Sequence, residues 1–384
     1  MKKICVTTAT RAEYGLLKPL IHALNNHTGF HLQLLVTGAH LSPEFGLTKK
    51  FIIDDGFAID EEIEMLVSSD TAVGISKSMG LGLISYAEAF NRLKPDAIII
   101  LGDRYEMLAM AAAATISKIP IIHLHGGEIT EGAYDDAIRH AISKLSYLHF
   151  TSTEDYRQRV IQLGEDPIRV FNVGALGIDN INALALLTKS ELEKELGIKF
   201  KKFNYQVTFH PETLNAISSE EQFKNLLHAL DKEEDSFFIF TKANADTDGR
   251  VINRLIDEYV MQHQEKAIAF HSLGAFRFLS VVKACDAIIG NSSSGILEAP
   301  SLHTATVNIG DRQKGRIQAA SIINCSNDVE AISEAIQNTK ESSFKQTLDH
   351  VVNPYYNGGA VDKIMSVLEN TKDFKVVKHF YDIV

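Results

Sequence analysis

The stretch "IIGNSSSGILEAPS", residues 288–301, runs from an apolar segment through an asparagine and three serines directly into a helix-like segment. A short apolar run that meets capping residues and then an amphipathic segment is typical of one strand and helix of a parallel α/β sheet. Polar turns follow apolar runs in the same way elsewhere, as in "TTATRAEYG", "LGDRYE", "HLHGGE", "FHPET" and "GDRQKGR". The chain is therefore predicted to alternate strands with helices along its length.

Several candidate strands, including "AIII" at 97–100 and "PIIHL" at 120–124, are apolar on both faces, as parallel strands covered by helices are. The alternation occurs twice, with the charged segment "TKSELEKELGIKFKKFN" between the two series. We predict two doubly wound Rossmann-like α/β domains, over 1–175 and 205–358. Residues 176–204 are expected to form a solvated linker, and a helix and tail over 359–384 to cross back to the first domain.

Composition excludes several classes of protein. A chain of 384 residues with 45% apolar and 23% charged residues is typical of a soluble globular protein with two domains. Its net charge of −11 argues against a nucleic-acid surface. The three cysteines, Cys5, Cys285 and Cys325, have no metal-ligand or disulfide spacing, and no run of 18 apolar residues occurs. We expect a cytoplasmic protein that contacts neither membrane nor nucleic acid.

The serine turn predicts an anion site. Ser292, Ser293 and Ser294 occupy the positions that would cap a helix starting near Gly295, where free N–H groups and the helix dipole attract a phosphate. A serine cap without any ligand is the alternative. Glu298, about one turn further on, could reach a ribose hydroxyl or simply be solvated.

Arginines after strands support phosphate binding. Arg11 follows the first strand, while Arg312 and Arg316 lie in "GDRQKGR" after another. A planar guanidinium suits bidentate contact with phosphate oxygens, so these three residues are predicted to clamp a diphosphate.

Six motifs together resemble the hydrolysing UDP-N-acetylglucosamine 2-epimerases, above all the bacterial enzymes that start sialic acid synthesis for capsules. They are "GDR" at 102–104, "GGE" at 126–128, "DDAIRHAISKLS" at 135–146, "FHPET" at 209–213, "GNSSSG" at 290–295 and "GDRQKGR" at 310–316. They occur in the family's order between Lys2 and about Lys372. The resemblance implies a GT-B-like fold, with the sugar nucleotide in a cleft between the two domains.

The resemblance also implies a reaction. UDP leaves C1 of UDP-GlcNAc as the C2 proton is removed, and water then adds to the 2-acetamidoglucal with inversion at C2, giving N-acetylmannosamine and UDP. Because C2 is not acidic by itself, the departing diphosphate needs strong stabilisation and carboxylates must lie around the sugar. The resemblance places the acid/base side on the first domain and the UDP side on the second.

Three catalytic residues follow from the family's motifs: Asp103, Asp135 and His210. His210 matches the family's histidine near the diphosphate. It could stabilise or protonate the departing UDP, because both charge states of a histidine are accessible near neutral pH. Helix capping is the alternative for both aspartates, and we prefer catalysis for Asp135 but not for its neighbour Asp136.

One position departs from the family. His125 in "HLHGGE" stands where most members have a glutamate, and we assign it to the catalytic residues with the other three. Either the imidazole moves the proton, or Glu128 replaces the glutamate, or the position is not an essential base. Because alternate strand residues share a face, His123 and His125 could also hold a metal with Asp103 or Glu128, although no third His or Cys stands at ligand spacing.

The remaining assignments complete the hypothesis. Substrate or UDP binding is assigned to these residues: Arg11, Arg104, Glu128, Arg139, Asn291, Ser292, Ser293, Ser294, Gly295, Glu298 and Arg312. No cofactor or metal is required. The family suggests a homodimer or homotetramer, and the amphipathic run Ala72–Arg92 could serve an interface or the core. A related UDP-diacetamido-trideoxyhexose as substrate, a GT-B glycosyltransferase and a silent nucleotide-sugar sensor remain alternatives.

Overall fold

The protein divides into two compact units. The computed structural model describes residues 1–67, 69, 71–130, 133–181, 184–212, 217–243 and 248–383, apart from the side chains of residues 179 and 180. The first unit comprises Met1–Glu128, Asp135–Asp179 and Tyr355–Val384, and the second comprises Ile129–Tyr134 and Asn180–Pro354. Each unit therefore draws on separate stretches of the chain, and the C-terminal segment belongs to the first.

Parallel strands form one sheet in each unit. Their bounds are β1 Lys2–Thr8, β2 Phe30–Thr37, β3 Glu61–Ile63, β4 Ala97–Leu101, β5 Ile121–Leu124, β6 Leu148–Thr151, β7 Val170–Asn172, β8 Phe203–Thr208, β9 Ser236–Thr241, β10 Ala267–Phe270, β11 Ala287–Gly290, β12 Ala305–Ile309 and β13 Ile322–Cys325. The strand orders are β3-β2-β1-β4-β5-β6-β7 and β10-β9-β8-β11-β12-β13. Each order switches direction beside the first strand of its unit, the point where such sheets bind ligands. The predicted doubly wound α/β class is confirmed.

Helices connect the strands. Their bounds are α1 Arg11–Asn26, α2 Lys49–Asp54, α3 Ala72–Leu93, α4 Tyr105–Ile116, α5 Asp135–Leu145, α6 Glu154–Gln162, α7 Ile178–Ile181, α8 Lys189–Leu196, α9 Ser219–Asp231, α10 Gly249–Gln262, α11 Ala275–Ala284, α12 Ser293–Leu297, α13 Val329–Lys340, α14 Ser342–Asp349 and α15 Ala360–Asn370. Short 3-10 turns occur at Gly38–Leu41, Pro43–Phe45, Pro167–Arg169 and Ala299–Leu302. Among the helices of the described residues, none is both long and apolar enough to span a membrane.

Both faces of each sheet are buried. Along β4, Ile99 packs into the cluster that contains α1 and α15, whereas Ile98 and Ile100 pack into the cluster against α3 and α4. In the second unit, Phe238 and Ile239 of β9 divide in the same way between two clusters. Burying a side chain of this size stabilises the fold by about 1.5–3 kcal/mol, so the unbroken apolar runs of the sequence are explained by helices on both sides.

Two elements differ from the sequence-based expectation. The alternation of strands and helices predicts a strand over 59–66, but only β3 forms there, because the Asp60 carboxylate accepts the Leu34 N–H (2.7 Å) just ahead of the three residues that pair with β2. The second element is the linker over 176–204, which the sequence predicts to be solvated. It contains α8, and Leu192 of this helix is buried against β9 together with Ile198 just beyond it. Helix α8 therefore packs as part of the second unit.

The start of α1 contains a buried carboxylate. Thr10 and Glu13 form a capping box, in which the Glu13 Oε2 accepts the N–H groups of Thr10 (2.9 Å) and Ala9 (2.8 Å). Burial raises the pKa of Glu13 to about 7, with repulsion from Glu106 adding to the effect, while Arg104 and the two N–H groups oppose it. The folded protein therefore binds a proton here more tightly than the unfolded chain does.

Replacing Glu13 by Gln should change how stability depends on pH. In the wild type, the stabilisation from protonated Glu13 is fully present below pH 4.5, the ordinary value, and is lost as the pH rises to about 7. Because glutamine does not titrate, the unfolding free energy of Glu13→Gln minus that of the wild type should rise by up to about 3 kcal/mol over this interval.

Urea denaturation at a series of pH values measures this difference. Glu234→Gln, at an exposed position, is the control, and its difference from the wild type should stay level. A flat curve for Glu13→Gln would show that Glu13 titrates alike in the folded and unfolded chains.

Candidate functional site

The predicted site residues of the first unit lie at the carboxyl ends of its central strands. Asp103 follows β4, and His125 follows β5 directly. Arg139 on α5 is nearly fully buried and links them: its guanidinium pairs with Asp103 Oδ2 and donates to the His125 carbonyl (2.8 Å). It also lies 3.7 Å from Glu128 Oε2. The Asp103 side chain keeps 20% of its surface exposed, so Arg139 orients a carboxylate that solvent can still reach.

His125 is held by both ring nitrogens. Its Nε2 accepts the Leu176 N–H (3.1 Å), so Nδ1 carries the proton and donates to Glu128 Oε1 (3.0 Å). The residue adopts a left-handed backbone (φ 61°) and is buried. Glu128 is buried too and accepts a further hydrogen bond from Ser152 Oγ (2.9 Å). This geometry favours a positioning role for His125 and Glu128, and leaves Asp103 as the more accessible carboxylate.

His123 does not join His125 in a metal site. Its Nε2 donates to the Gly102 carbonyl (2.8 Å) and its Nδ1 accepts from Ser143 Oγ (3.0 Å). Burial lowers the pKa of His123 to about 3, so the ring is neutral at pH 7. Within the part of the chain that the structure describes, His, Cys, Asp and Glu side chains form no group of three that could hold a metal ion.

Other predicted residues of the first unit take separate positions. Arg104 donates a hydrogen bond to each carboxylate oxygen of buried Glu106 (3.1 Å each). The Arg11 guanidinium lies over the Phe51 ring (5.4 Å). Asp135 is the first residue of α5, where a carboxylate is favoured by the helix dipole. It directly follows the Ile129–Tyr134 segment, which packs with the second unit.

Asn291 is the centre of the second unit's polar edge. Its fully buried carboxamide accepts the His210 N–H (2.7 Å) and donates to the His210 carbonyl (2.8 Å). Its backbone carbonyl accepts hydrogen bonds from Arg312 (3.3 Å) and Gln313 (2.8 Å). The loops that follow β8, β11 and β12 are thereby joined, and His210 and Arg312 lie beside the serine turn.

The serine turn begins a short helix. Ser292 is the N-cap of α12 and its Oγ accepts the Ser294 N–H (3.4 Å), so the helix starts at Ser293, earlier than expected. Pro300, which lacks an N–H, follows in a 3-10 turn, and Glu298 lies half-buried between them. At Gly295 a Cβ would lie 2.6 Å from Thr306, so this glycine is explained by packing against β12.

Sequence reasoning assigned no role to Glu212. Its buried Oε1 accepts the backbone N–H groups of Asp311 (3.0 Å) and Arg312 (3.2 Å), which holds the loop after β12 in place. A Cβ on Gly310, at φ 75°, would lie 2.1 Å from the same oxygen. Both partners lie in sequence motifs, "FHPET" at 209–213 and "GDRQKGR" at 310–316. A single sequence does not show that these two distant motifs contact each other. Thr213 of "FHPET" lies outside the described residues.

Arg316 contacts the chain that follows β5. Its guanidinium is largely buried, and it donates from Nε to the Ile129 carbonyl (3.1 Å) and from Nη2 to Thr130 Oγ1 (3.4 Å). These two donors therefore face the protein, and the role of Arg316 in clamping a diphosphate stays a prediction.

Comparison with known proteins shows the family of the chain. The family model described as UDP-N-acetylglucosamine 2-epimerase matches residues 22–369. The chain is 46% identical, over 90% of its length and 89% of the relative's, to the GDP/UDP-N,N'-diacetylbacillosamine 2-epimerase (hydrolyzing) of Campylobacter jejuni. It is 40% identical to the polysialic acid biosynthesis protein P7 of Escherichia coli, over 100% of this chain and 98% of that one.

A solved structure supports the same fold. The UDP-GlcNAc 2-epimerase of Neisseria meningitidis bound to UDP-GlcNAc has a TM-score of 0.80 at 19% identity, covering 97% of this chain and all of that one. The protein therefore has a GT-B-like two-domain α/β fold. It belongs to the UDP-N-acetylglucosamine 2-epimerase family.

Gly310→Ala should destabilise the second unit and loosen the loop that carries Arg312. A Cβ at this position would clash with Glu212 Oε1, and the alanine would have to adopt the left-handed backbone of Gly310. We therefore expect the free energy of unfolding to fall by about 2–4 kcal/mol from strain and broken hydrogen bonds. Gly197→Ala is the matched control, since Gly197 has φ 66° and open space around it, and should cost about 1 kcal/mol. Equal losses in denaturant unfolding would mean that Glu212 yields without penalty.

Proposed function

We propose that the protein is a hydrolysing 2-epimerase of a UDP-linked 2-acetamido sugar, converting UDP-sugar and water into UDP and the free 2-epimeric sugar. Family membership supports epimerisation at C2, and the printed names of the 46% identical relative and of a 34% identical Legionella pneumophila relative include hydrolysis. The observation that carries the proposal is the orientation of Asp103 by buried Arg139 at the end of β4, which holds a reachable carboxylate ready for proton transfer.

In the proposed first step, a carboxylate takes the C2 proton while the C1–O bond breaks and its electron pair leaves with UDP, producing a C1=C2 double bond. Water then adds, with hydroxyl to C1 and a proton to the opposite face of C2. Asp103 and Asp135 are assigned the proton transfers. Positive charge on the sugar and negative charge on the leaving diphosphate both develop in the transition state, where preorganised groups have their largest effect.

UDP binding is assigned to the edge of the second unit. Arg312 and the serine turn lie beside Asn291, and His210 has its backbone fixed by the Asn291 carboxamide. Donors held rigidly before the ligand arrives lose little entropy on binding, so such an edge suits the diphosphate of a nucleotide. His125 and Glu128 are assigned to holding Arg139 and the turn after β5 rather than to proton transfer.

Two sugars are candidate substrates. The names of the 46% and 34% identical relatives favour UDP-N,N'-diacetylbacillosamine, a diacetamido sugar. UDP-GlcNAc is favoured by the 29% identical UDP-N-acetylglucosamine 2-epimerase of Neisseria meningitidis and, through N-acetylmannosamine, by the polysialic acid relative. We propose the diacetamido sugar as the preferred substrate, with sialic acid synthesis from UDP-GlcNAc as the second candidate.

The test is incubation with each UDP-sugar in deuterated water without an acceptor. The proposal expects UDP release together with a free 2-epimeric sugar that carries one deuterium at C2. Release that requires an acceptor would indicate a glycosyltransferase, binding without turnover would indicate a sensor, and an unlabelled sugar of unchanged configuration would show simple hydrolysis. Each of these three results contradicts the proposal, and the ratio of kcat/KM values decides between the two sugars.

Variants should separate the two sets of residues. Asp103→Asn and Asp135→Asn should each lower kcat by at least about 10²-fold while UDP still binds, because proton transfer needs the carboxylate. Ser292→Ala combined with Ser293→Ala should weaken UDP binding by about tenfold, since donors to the diphosphate are lost. Calorimetry with UDP and steady-state UDP release measure the two effects.

Asp136→Asn is the matched control for the aspartates. Asp136 is adjacent to Asp135 on α5, and its Oδ2 lies 3.7 Å from His140 Nε2 on the same helix. Full activity in Asp103→Asn or Asp135→Asn would remove that residue from the mechanism. Unchanged UDP affinity in the double serine variant would mean that the serines only cap α12.

A further inference from the structure

The Ile129–Tyr134 segment takes an unusual path. The chain belongs to the first unit up to Glu128 and again from Asp135, yet Ile129, Thr130, Ala133 and Tyr134 group with the second unit. Ala133 is buried and its N–H donates to the Thr130 carbonyl (3.1 Å). The segment ends at Tyr134, and Asp135, the next residue, is the first residue of α5.

Arg316 holds the beginning of this segment. Its Nε donates to the Ile129 carbonyl and its Nη2 to Thr130 Oγ1, and both Arg316 and Thr130 are almost entirely buried. A guanidinium has several N–H donors in one fixed plane, so it can donate hydrogen bonds to a carbonyl and a hydroxyl of adjacent residues at the same time. A lysine ammonium at the same place would keep the charge but lose this planar geometry.

The same loop carries Arg312. Glu212 fixes the loop at its start through the Asp311 and Arg312 N–H groups, and Arg312 then reaches the Asn291 carbonyl. Four residues later, Arg316 turns to Ile129 and Thr130. One short loop therefore presents one arginine beside the serine turn and the other to the segment that leads into Asp135.

We infer that Arg316 is a positioning residue that anchors the Ile129–Tyr134 segment and thereby fixes where the chain enters α5 at Asp135. Its effect on catalysis rests on the proposed function, which gives Asp135 a proton transfer. The anchoring itself does not. Arg312 and Arg316, expected from the sequence to share one role, thus have different ones: Arg312 contributes to binding UDP, and Arg316 to turnover.

Hydrogen exchange tests the anchor without any substrate. In Arg316→Met, exchange at the Ala133 amide, followed in peptides that contain it, should become about tenfold faster, because two hydrogen bonds that hold the segment are lost. Thr130→Val, which removes one acceptor with little change of volume, should show a smaller increase. Lys314→Met is the control, since Lys314 lies in the same loop with 61% of its side chain exposed. Unchanged exchange in Arg316→Met would overturn the inference.

Kinetics test the consequence. Arg316→Met should lower kcat by about 10- to 10²-fold, because Asp135 is misplaced. The affinity for UDP should stay within about twofold of the wild type, because the inference gives Arg316 no contact with UDP. Arg316→Lys should recover part of the activity. Arg312→Met should instead weaken UDP binding by about tenfold or more.

The outcomes keep the two proposals apart. If Arg316→Met weakens UDP as Arg312→Met does, Arg316 is a phosphate ligand and the inference is wrong. If the wild type turns over neither UDP-sugar, the proposed function fails, but the exchange experiment still decides whether Arg316 anchors the segment. Faster exchange with unchanged kcat in an active enzyme would contradict the link to Asp135.

Discussion

The two hydrogen bonds between the Asn291 carboxamide and the backbone of His210 determine the polar edge of the second unit. Asn291 is fully buried, and its carboxamide pairs with both the N–H and the carbonyl of His210 just beyond the end of a neighbouring strand. Leaving such a group unsatisfied costs about 1–3 kcal/mol. Because the backbone carbonyl of the same residue accepts hydrogen bonds from Arg312 and Gln313, one residue joins three loops through its side chain and its backbone.

The first unit uses a buried cation for the same purpose. A guanidinium without solvent is costly unless its donors are paired, and Arg139 meets Asp103, the His125 carbonyl and Glu128. These contacts offset the desolvation of the Arg139 guanidinium and fix the orientation of Asp103, His125 and Glu128 around it. Both edges are therefore held by contacts within the protein, made by side chains that have little exposed surface themselves.

Much of the fold could be predicted from the sequence, because strands buried on both faces leave unbroken apolar runs. Helices α2 and α14 leave little signal in the sequence: α2 has only six residues and buries Ile52 alone, while α14 has no buried residue. The order of the polar turns also placed Asp103 and Asn291 correctly at strand ends. Contacts between distant residues could not be predicted, since His125 meets an N–H 51 positions away and Arg316 meets a hydroxyl 186 positions away.

The division of the chain has a consequence for its synthesis. Ala360, Ile364 and Leu368 of α15 belong to the cluster that covers β1 and β4, so this cover is incomplete until residues 355–384 have left the ribosome. The second unit has all of its residues by Pro354. Part of the apolar surface of the first unit therefore has no cover during translation until every residue of the second unit has been synthesised.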